Sequence, residues 1–167
     1  MTKQDLIKLI NPADSLGFLM GQSNLLKDKL LDKHLEALDI TAAQAKVLFN
    51  ISYFGQSRAC DIGKHLGVDG SAITRMLDRL VKKELISREA APEDRRALQI
   101  ELTEKGQNVI QQALPLARAA LEELTQPLSA AEIKQLKTLL RKILSASGCS
   151  LITENLMTEV NQDENHA

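Results

Sequence analysis

Leu16, Leu19, Met20, Leu26, Leu30 and Leu31 recur at spacings of three and four among polar residues, which predicts an amphipathic helix over 14–37. Pro12 lies just ahead of it, and Asp14 or Ser15 can cap it. Thr41 and Gln44 have capping-box spacing and open a second helix, with Val47, Leu48 and Ile51 inward, that stops near Gly55. A short third helix is predicted over 58–66, with Ser57 as its N-cap and Gly67 at its end. A fourth starts after Asp69-Gly70 and continues to about Lys83.

The period then changes. Ser87–Ala90 reads as a short strand, and Ala97–Leu102 alternates apolar and polar residues as a half-buried strand does. Between them, Ala91-Pro92-Glu93-Asp94-Arg95-Arg96 is turn chemistry, because proline presets φ and aspartate bonds its own backbone. Thr103 and Glu104 begin a long helix to about Leu124, with Ile110, Leu114, Ala117, Leu121 and Leu124 on one side and a kink expected at Pro115. Ser129 and Glu132 make a second capping box for a final helix to about Ala146, where Ile133, Leu136, Leu140 and Ile143 mark a helix–helix seam.

This order predicts a mainly α protein with a small β-hairpin wing: a winged helix-turn-helix between two helical arms. We divide the chain into an N-terminal dimerisation arm (1–40), a DNA-binding lobe (41–105), C-terminal dimerisation helices (106–146) and an acidic tail (147–167). The apolar seams of 14–37, 107–124 and 129–146 exceed what one small winged helix can cover, so pairing with a second copy is expected.

Composition narrows the function. A chain of 167 residues can bury a core without disulfides or metal. Four aromatic residues (Phe18, Phe49, Tyr53, Phe54) are too few for a base-stacking single-strand binder. The net charge of −1 argues against indiscriminate coating of nucleic acid. That total conceals a pattern, since residues 41–105 carry eleven basic and nine acidic side chains while 147–167 carry no basic and four acidic ones. No apolar run approaches a membrane span and no signal peptide is apparent, so a cytoplasmic protein is expected, with Cys60 and Cys149 reduced. Cys60, beside Ala59 and Ile62, is expected to be buried.

Candidate chemistry gathers on the fourth helix. Ile73, Met76, Leu77, Leu80 and Val81 fall on one side; Ser71, Arg75, Asp78, Arg79 and Lys82 fall opposite, with Thr74 at the boundary. A short helix and a glycine turn before it complete the helix-turn-helix arrangement, whose second helix enters the major groove with its N-terminal residues at the base edges. Ser71, Thr74 and Arg75 are therefore the base-contact candidates, and Arg75 has the fork that matches guanine. Arg79 and Lys82 lie further along, at phosphate reach, with Asp78 placed to orient Lys82 through an i,i+4 pair. Ser57, at a helix start, offers backbone amides to a phosphate. In the wing, Arg96 is assigned to a narrow A·T-rich minor groove, with Asp94 orienting it and Arg95 on the nearby backbone.

Three segments resemble the MarR family of bacterial winged-helix regulators: LDITAAQAKVL (38–48), VDGSAITRMLDRLVKK (68–83) and EDRRALQIELTEKG (93–106), the last containing the Asp-x-Arg wing followed by Leu-Thr. The resemblance covers about residues 14–146. It implies a homodimer joined by its terminal helices on a palindromic double-stranded DNA operator, acting as a repressor that a small phenolic or aromatic carboxylate effector releases. An activating or anti-silencing regulator, or a helical dimeric adaptor that no longer binds DNA, remains the alternative. Thr74 and Arg88 match positions that contact a salicylate-like carboxylate in relatives; for Arg88 a strand-edge pair with Glu89 or Glu101 stands equally open. No cofactor, metal or catalytic site is expected, because His34, His65 and His166 lie far apart and no nucleophile elbow, P-loop or dinucleotide turn is present.

Overall fold

The computed structural model describes residues 14–55, 58–90 and 98–147. The chain divides into two compact units, with the boundary after Leu124. In the first, the elements are α1 (Leu16–Leu35), a 3-10 turn (Glu36–Leu38), α2 (Ala42–Phe54), α3 (Ala59–Leu66), α4 (Gly70–Lys82), β1 (Ile86–Ala90), β2 (Leu98–Leu102) and α5 (Glu104–Thr125). The second contains α6 (Ala130–Ala146).

The helix starts follow their caps. Ser15 accepts from the Phe18 amide at the head of α1. Thr41 and Gln44 exchange both bonds of their capping box, at 3.2 and 3.1 Å. Asp32 on α1 adds an acceptor for the Ala42 amide at 2.6 Å, which ties α1 to the first turn of α2. The N-cap of α3 is Arg58, without a side-chain bond, rather than Ser57. At the other end of α3, Gly67 takes φ 64°, the left-handed conformation that lets the chain turn back into α4.

Leu35, Val47, Leu48, Ile51, Ile62, Ile73, Leu77, Leu80, Ile86 and Ile100 are all essentially closed to solvent and make one core under α2, α3, α4 and the hairpin. The inward residues expected on α2 are buried as the period requires. The strands pair antiparallel with Ile86 opposite Leu102, Arg88 opposite Ile100 and Ala90 opposite Leu98.

Between α4 and β1 the chain makes a Schellman turn. Leu85 donates to the Leu80 carbonyl at 3.0 Å, Glu84 donates to the Val81 carbonyl at 2.9 Å, and Glu84 sits at φ 60°. The head of α5 docks here: Thr103 donates from its amide to the Leu85 carbonyl at 3.2 Å and from its hydroxyl to the Glu84 carbonyl at 2.6 Å. Gly106 lies so close that a Cβ there would fall 2.0 Å from the Leu85 oxygen.

Two features of the helices differ from the sequence expectation. On α5, which runs on through Pro115, the buried row is Gly106, Ile110, Ala113 and Ala120, while Leu114 and Leu121 are exposed. On α4, Val81 is exposed rather than inward. Further along α5, Glu123 receives Lys33 at 3.0 Å and His34 at 2.7 Å from α1, and these contacts, His34 first, hold its carboxyl below the usual range.

The upper part of α1 leaves Leu16, Phe18, Leu19, Met20, Leu25 and Leu26 exposed. In the second unit, the Ser129–Glu132 capping box is formed, and α6 exposes Leu136, Leu139, Leu140, Ile143 and Leu144.

Candidate nucleic-acid interface

Asp69 starts α4. Its Oδ1 accepts from the Ser71 and Ala72 amides at 3.0 and 2.9 Å, and from the Ser71 hydroxyl at 2.7 Å. The Thr74 hydroxyl donates back to the Gly70 carbonyl at 2.7 Å, one turn earlier. Both hydroxyls have thus committed their only proton inside the helix, so toward solvent each presents acceptor lone pairs, and threonine a methyl group as well.

With Ile73, Leu77 and Leu80 sunk in the core, the opposite row is held outward: Ser71, Thr74, Arg75, Asp78, Arg79 and Lys82 are all exposed. The α3–α4 turn fixes this presentation through the Val68 amide, which bonds the Gly63 carbonyl at 2.9 Å. Gly63 itself is buried, and a Cβ there would sit 3.1 Å from the Val68 oxygen.

The acidic member of the row is paired, but not as its spacing suggested. Asp78 Oδ1 meets Arg88 Nη2 of β1 at 2.7 Å, in place of the expected i,i+4 pair with Lys82. Arg88, for which Glu89 and Glu101 also stood open as partners, meets Asp78. The physical reason is reach. Arg88 is held by the hairpin beside α4, where its Nη2 reaches the carboxylate without either side chain leaving its own element.

Asp69 titrates with a consequence for this helix. The Ser71 hydroxyl bond, then the Ala72 amide bond, keep its carboxyl below the ordinary carboxylate range. A depressed folded-state pKa contributes stability above the unfolded value, about 4 for aspartate, and that contribution is lost as the pH falls through the lower folded value. Asp69→Asn keeps an acceptor oxygen but cannot ionise. It should therefore be less stable than the parent at neutral pH, and the gap should close as the pH drops below about 4. Denaturant titrations at pH 7 and pH 3 with the same gap would contradict this.

Of the other expected site residues, Ser57, Asp94, Arg95 and Arg96 lie outside the described residues. Cys60 is exposed rather than buried, with its thiol 3.6 Å from the Asp61 carboxylate. α3 turns Ile62 and Gly63 inward with Ala59 and Leu66 packed beside them, and Cys60, two residues and so about 200° from Ile62, falls on the other side. Sequence reasoning missed an open groove of about 520 Å³ lined by Ile51, Ser52, Gly55, Leu102, Gln107, Ile110 and Leu114, among others. Its lining includes neither Thr74 nor Arg88, and it joins the end of α2, β2 and α5, which no local motif connects.

A helix-turn-helix carrying an outward polar row, followed at once by an antiparallel hairpin, defines a winged helix-turn-helix protein. The MarR family model matches residues 40–98. The multiple antibiotic resistance protein MarR of Escherichia coli is 42% identical over 137 residues, spanning 81% of this chain and 95% of that protein. An uncharacterised HTH-type transcriptional regulator of Bacillus subtilis, YhbI, is 32% identical over 123 residues, 73% of this chain and 80% of its own. Among solved structures, a cysteine-to-serine mutant of E. coli MarR complexed with operator DNA aligns with TM-score 0.74 at 41% identity, covering 81% of this chain and 98% of that one. The chain belongs to the MarR family.

Proposed function

We propose that this chain is a sequence-specific, double-stranded-DNA-binding repressor that acts in the cytoplasm as a homodimer on a palindromic operator. The observation that carries this is the row Ser71, Thr74, Arg75, Arg79 and Lys82, held outward on α4 by the buried Ile73, Leu77 and Leu80. The similarity to a MarR crystallised with operator DNA supports it.

In this reading α4 lies in the major groove. Arg75 forks onto guanine O6 and N7. Ser71 and Thr74, their protons already used, accept from an exocyclic amino group or pack a methyl against thymine. Arg79 and Lys82 neutralise phosphates, and the exposed basic heads make affinity fall steeply with salt. Arg96, oriented by Asp94, enters the minor groove, while Arg95 and Ser57, which precedes the Arg58 cap of α3, hold the backbone.

The exposed apolar residues of α1 and, separately, of α6 are the surfaces a second copy would cover, and they support the reading of 1–40 and 106–146 as dimerisation arms, 41–105 as the DNA-binding lobe and 147–167 as a tail. A dimer would read half-sites about one helical turn, roughly 34–36 Å, apart. A small phenolic or aromatic carboxylate effector is assigned to Thr74 and Arg88. Because Arg88 already gives Nη2 to Asp78, such an anion would have to share the guanidinium with that carboxylate or displace it.

The test is a gel shift with the duplex upstream of the protein's own coding sequence, run with and without a panel of phenolic acids. A shifted band that salicylate or a relative releases is expected. No preference over a scrambled duplex at moderate salt refutes the DNA-binding reading, and a band indifferent to every acid refutes the effector.

A further inference from the structure

We propose that Arg88 is a positioning residue for DNA binding: it acts through Asp78, holding and neutralising the acidic side chain of the recognition row without itself touching the duplex. The inference rests on the reading of α4 as the groove-entering helix.

Asp78 stands in the middle of that row, three residues after Arg75 and four before Lys82. A bare carboxylate there would face phosphates and base-edge acceptors, and repulsion between like charges brought together at an interface is costly. Arg79 and Lys82 stand on the same exposed face, yet pairing either with Asp78 would divert a head that phosphates need. The structure takes the countercharge from another element. Arg88 is fixed in β1 opposite Ile100, between the buried Ile86 and the rest of the hairpin, and its Nη2 is 2.7 Å from Asp78 Oδ1.

The Arg88 side chain is 29% exposed and that of Asp78 49%, so the carboxylate is the more accessible partner of the pair. Asp78 belongs to the outward row of α4 and Arg88 to β1 beside it, so a duplex lying on α4 approaches the Asp78 carboxylate directly. The pair also fastens the third turn of α4 to the hairpin, so the helix and β1 present themselves together.

The test uses full-length protein and a labelled duplex that the parent enriches from a random double-stranded pool, with a scrambled duplex of equal composition as control. Arg88→Ala uncovers the Asp78 charge and should weaken binding about tenfold at moderate salt, the size expected for one unscreened charge near a phosphate. Asp78→Asn should bind at least as well as the parent. The double variant Arg88→Ala/Asp78→Asn should recover to within about threefold of it, since the charge that needed covering is gone. Arg88→Gln, alone and with Asp78→Asn, repeats the comparison with a bulkier side chain, and thermal melts confirm that each protein compared is folded.

A double variant as weak as Arg88→Ala overturns the proposal, because it would mean that Arg88 touches DNA or serves only to hold the fold. So does an Arg88→Ala protein that binds like the parent. If the parent enriches no sequence, the DNA-binding reading fails instead, a result distinct from either.

Discussion

Arg75→Ala is expected to lose about 1–3 kcal/mol of operator affinity for each half-site, and to relax the preference at one base pair while leaving the others in place. Arg75 projects from the second turn of α4, where a helix lying in the major groove brings its residues to the base edges. Its fork supplies two parallel donors that only guanine matches in that groove. A phosphate-binding side chain behaves differently: Lys82→Ala should weaken every duplex alike and reduce the salt slope by about one. Binding of the two variants to a panel of single-base substitutions of the operator separates the roles. Equal discrimination by Arg75→Ala and the parent would remove Arg75 from base reading.

Gly106→Ala is expected to destabilise the fold by about 1–3 kcal/mol or somewhat more, although replacing glycine by alanine inside a helix ordinarily stabilises by about 1 kcal/mol. The reversal comes from the approach of α5 to the α4–β1 turn. The added carbon would lie 2.0 Å from the Leu85 oxygen and 3.0 Å from its carbonyl carbon, both backbone atoms with no rotamer to escape into. Making room means breaking the Thr103 bonds to Leu85 and Glu84, at 3.2 and 2.6 Å, on which the first turn of α5 is seated. Urea titration should show a lower midpoint at unchanged slope. A raised midpoint would mean that the contact is not as close as the structure has it.

Much of this fold could be read from local patterns. The 3.6-residue period, the Thr41–Gln44 and Ser129–Glu132 capping boxes and the glycine after α3 each act within a turn or two of chain, so they are visible without a tertiary structure. The outward row of α4 was legible for the same reason, whereas Ser57, Asp94, Arg95 and Arg96 lie outside the described residues.

What the sequence hid depends on distances between elements. Leu114 and Ala113 both satisfy the seam spacing of α5. Ala113 takes the buried side and Leu114 is left outside. Asp78 had acceptable partners one turn away on its own helix and found a better one across on β1. Cys60 belongs to a residue type that is usually buried, but it stands on the side of α3 opposite Ile62 and so faces outward. Gly106 carried no local signal, since nothing in its neighbourhood along the chain says that the Leu85 carbonyl lies against it.

The two fastenings of α5 make it a transmission rod. Its 22 residues span about 33 Å, with the first turn locked under the Glu84–Leu85 bend and Glu123 gripped by Lys33 and His34 near the other end. α1 and the root of the hairpin are therefore joined through one continuous helix rather than through loops. The Glu84–Leu85 bend, which carries the step from α4 to β1, is thus tied at once to the recognition helix, the hairpin and, through α5, to the side chains of α1.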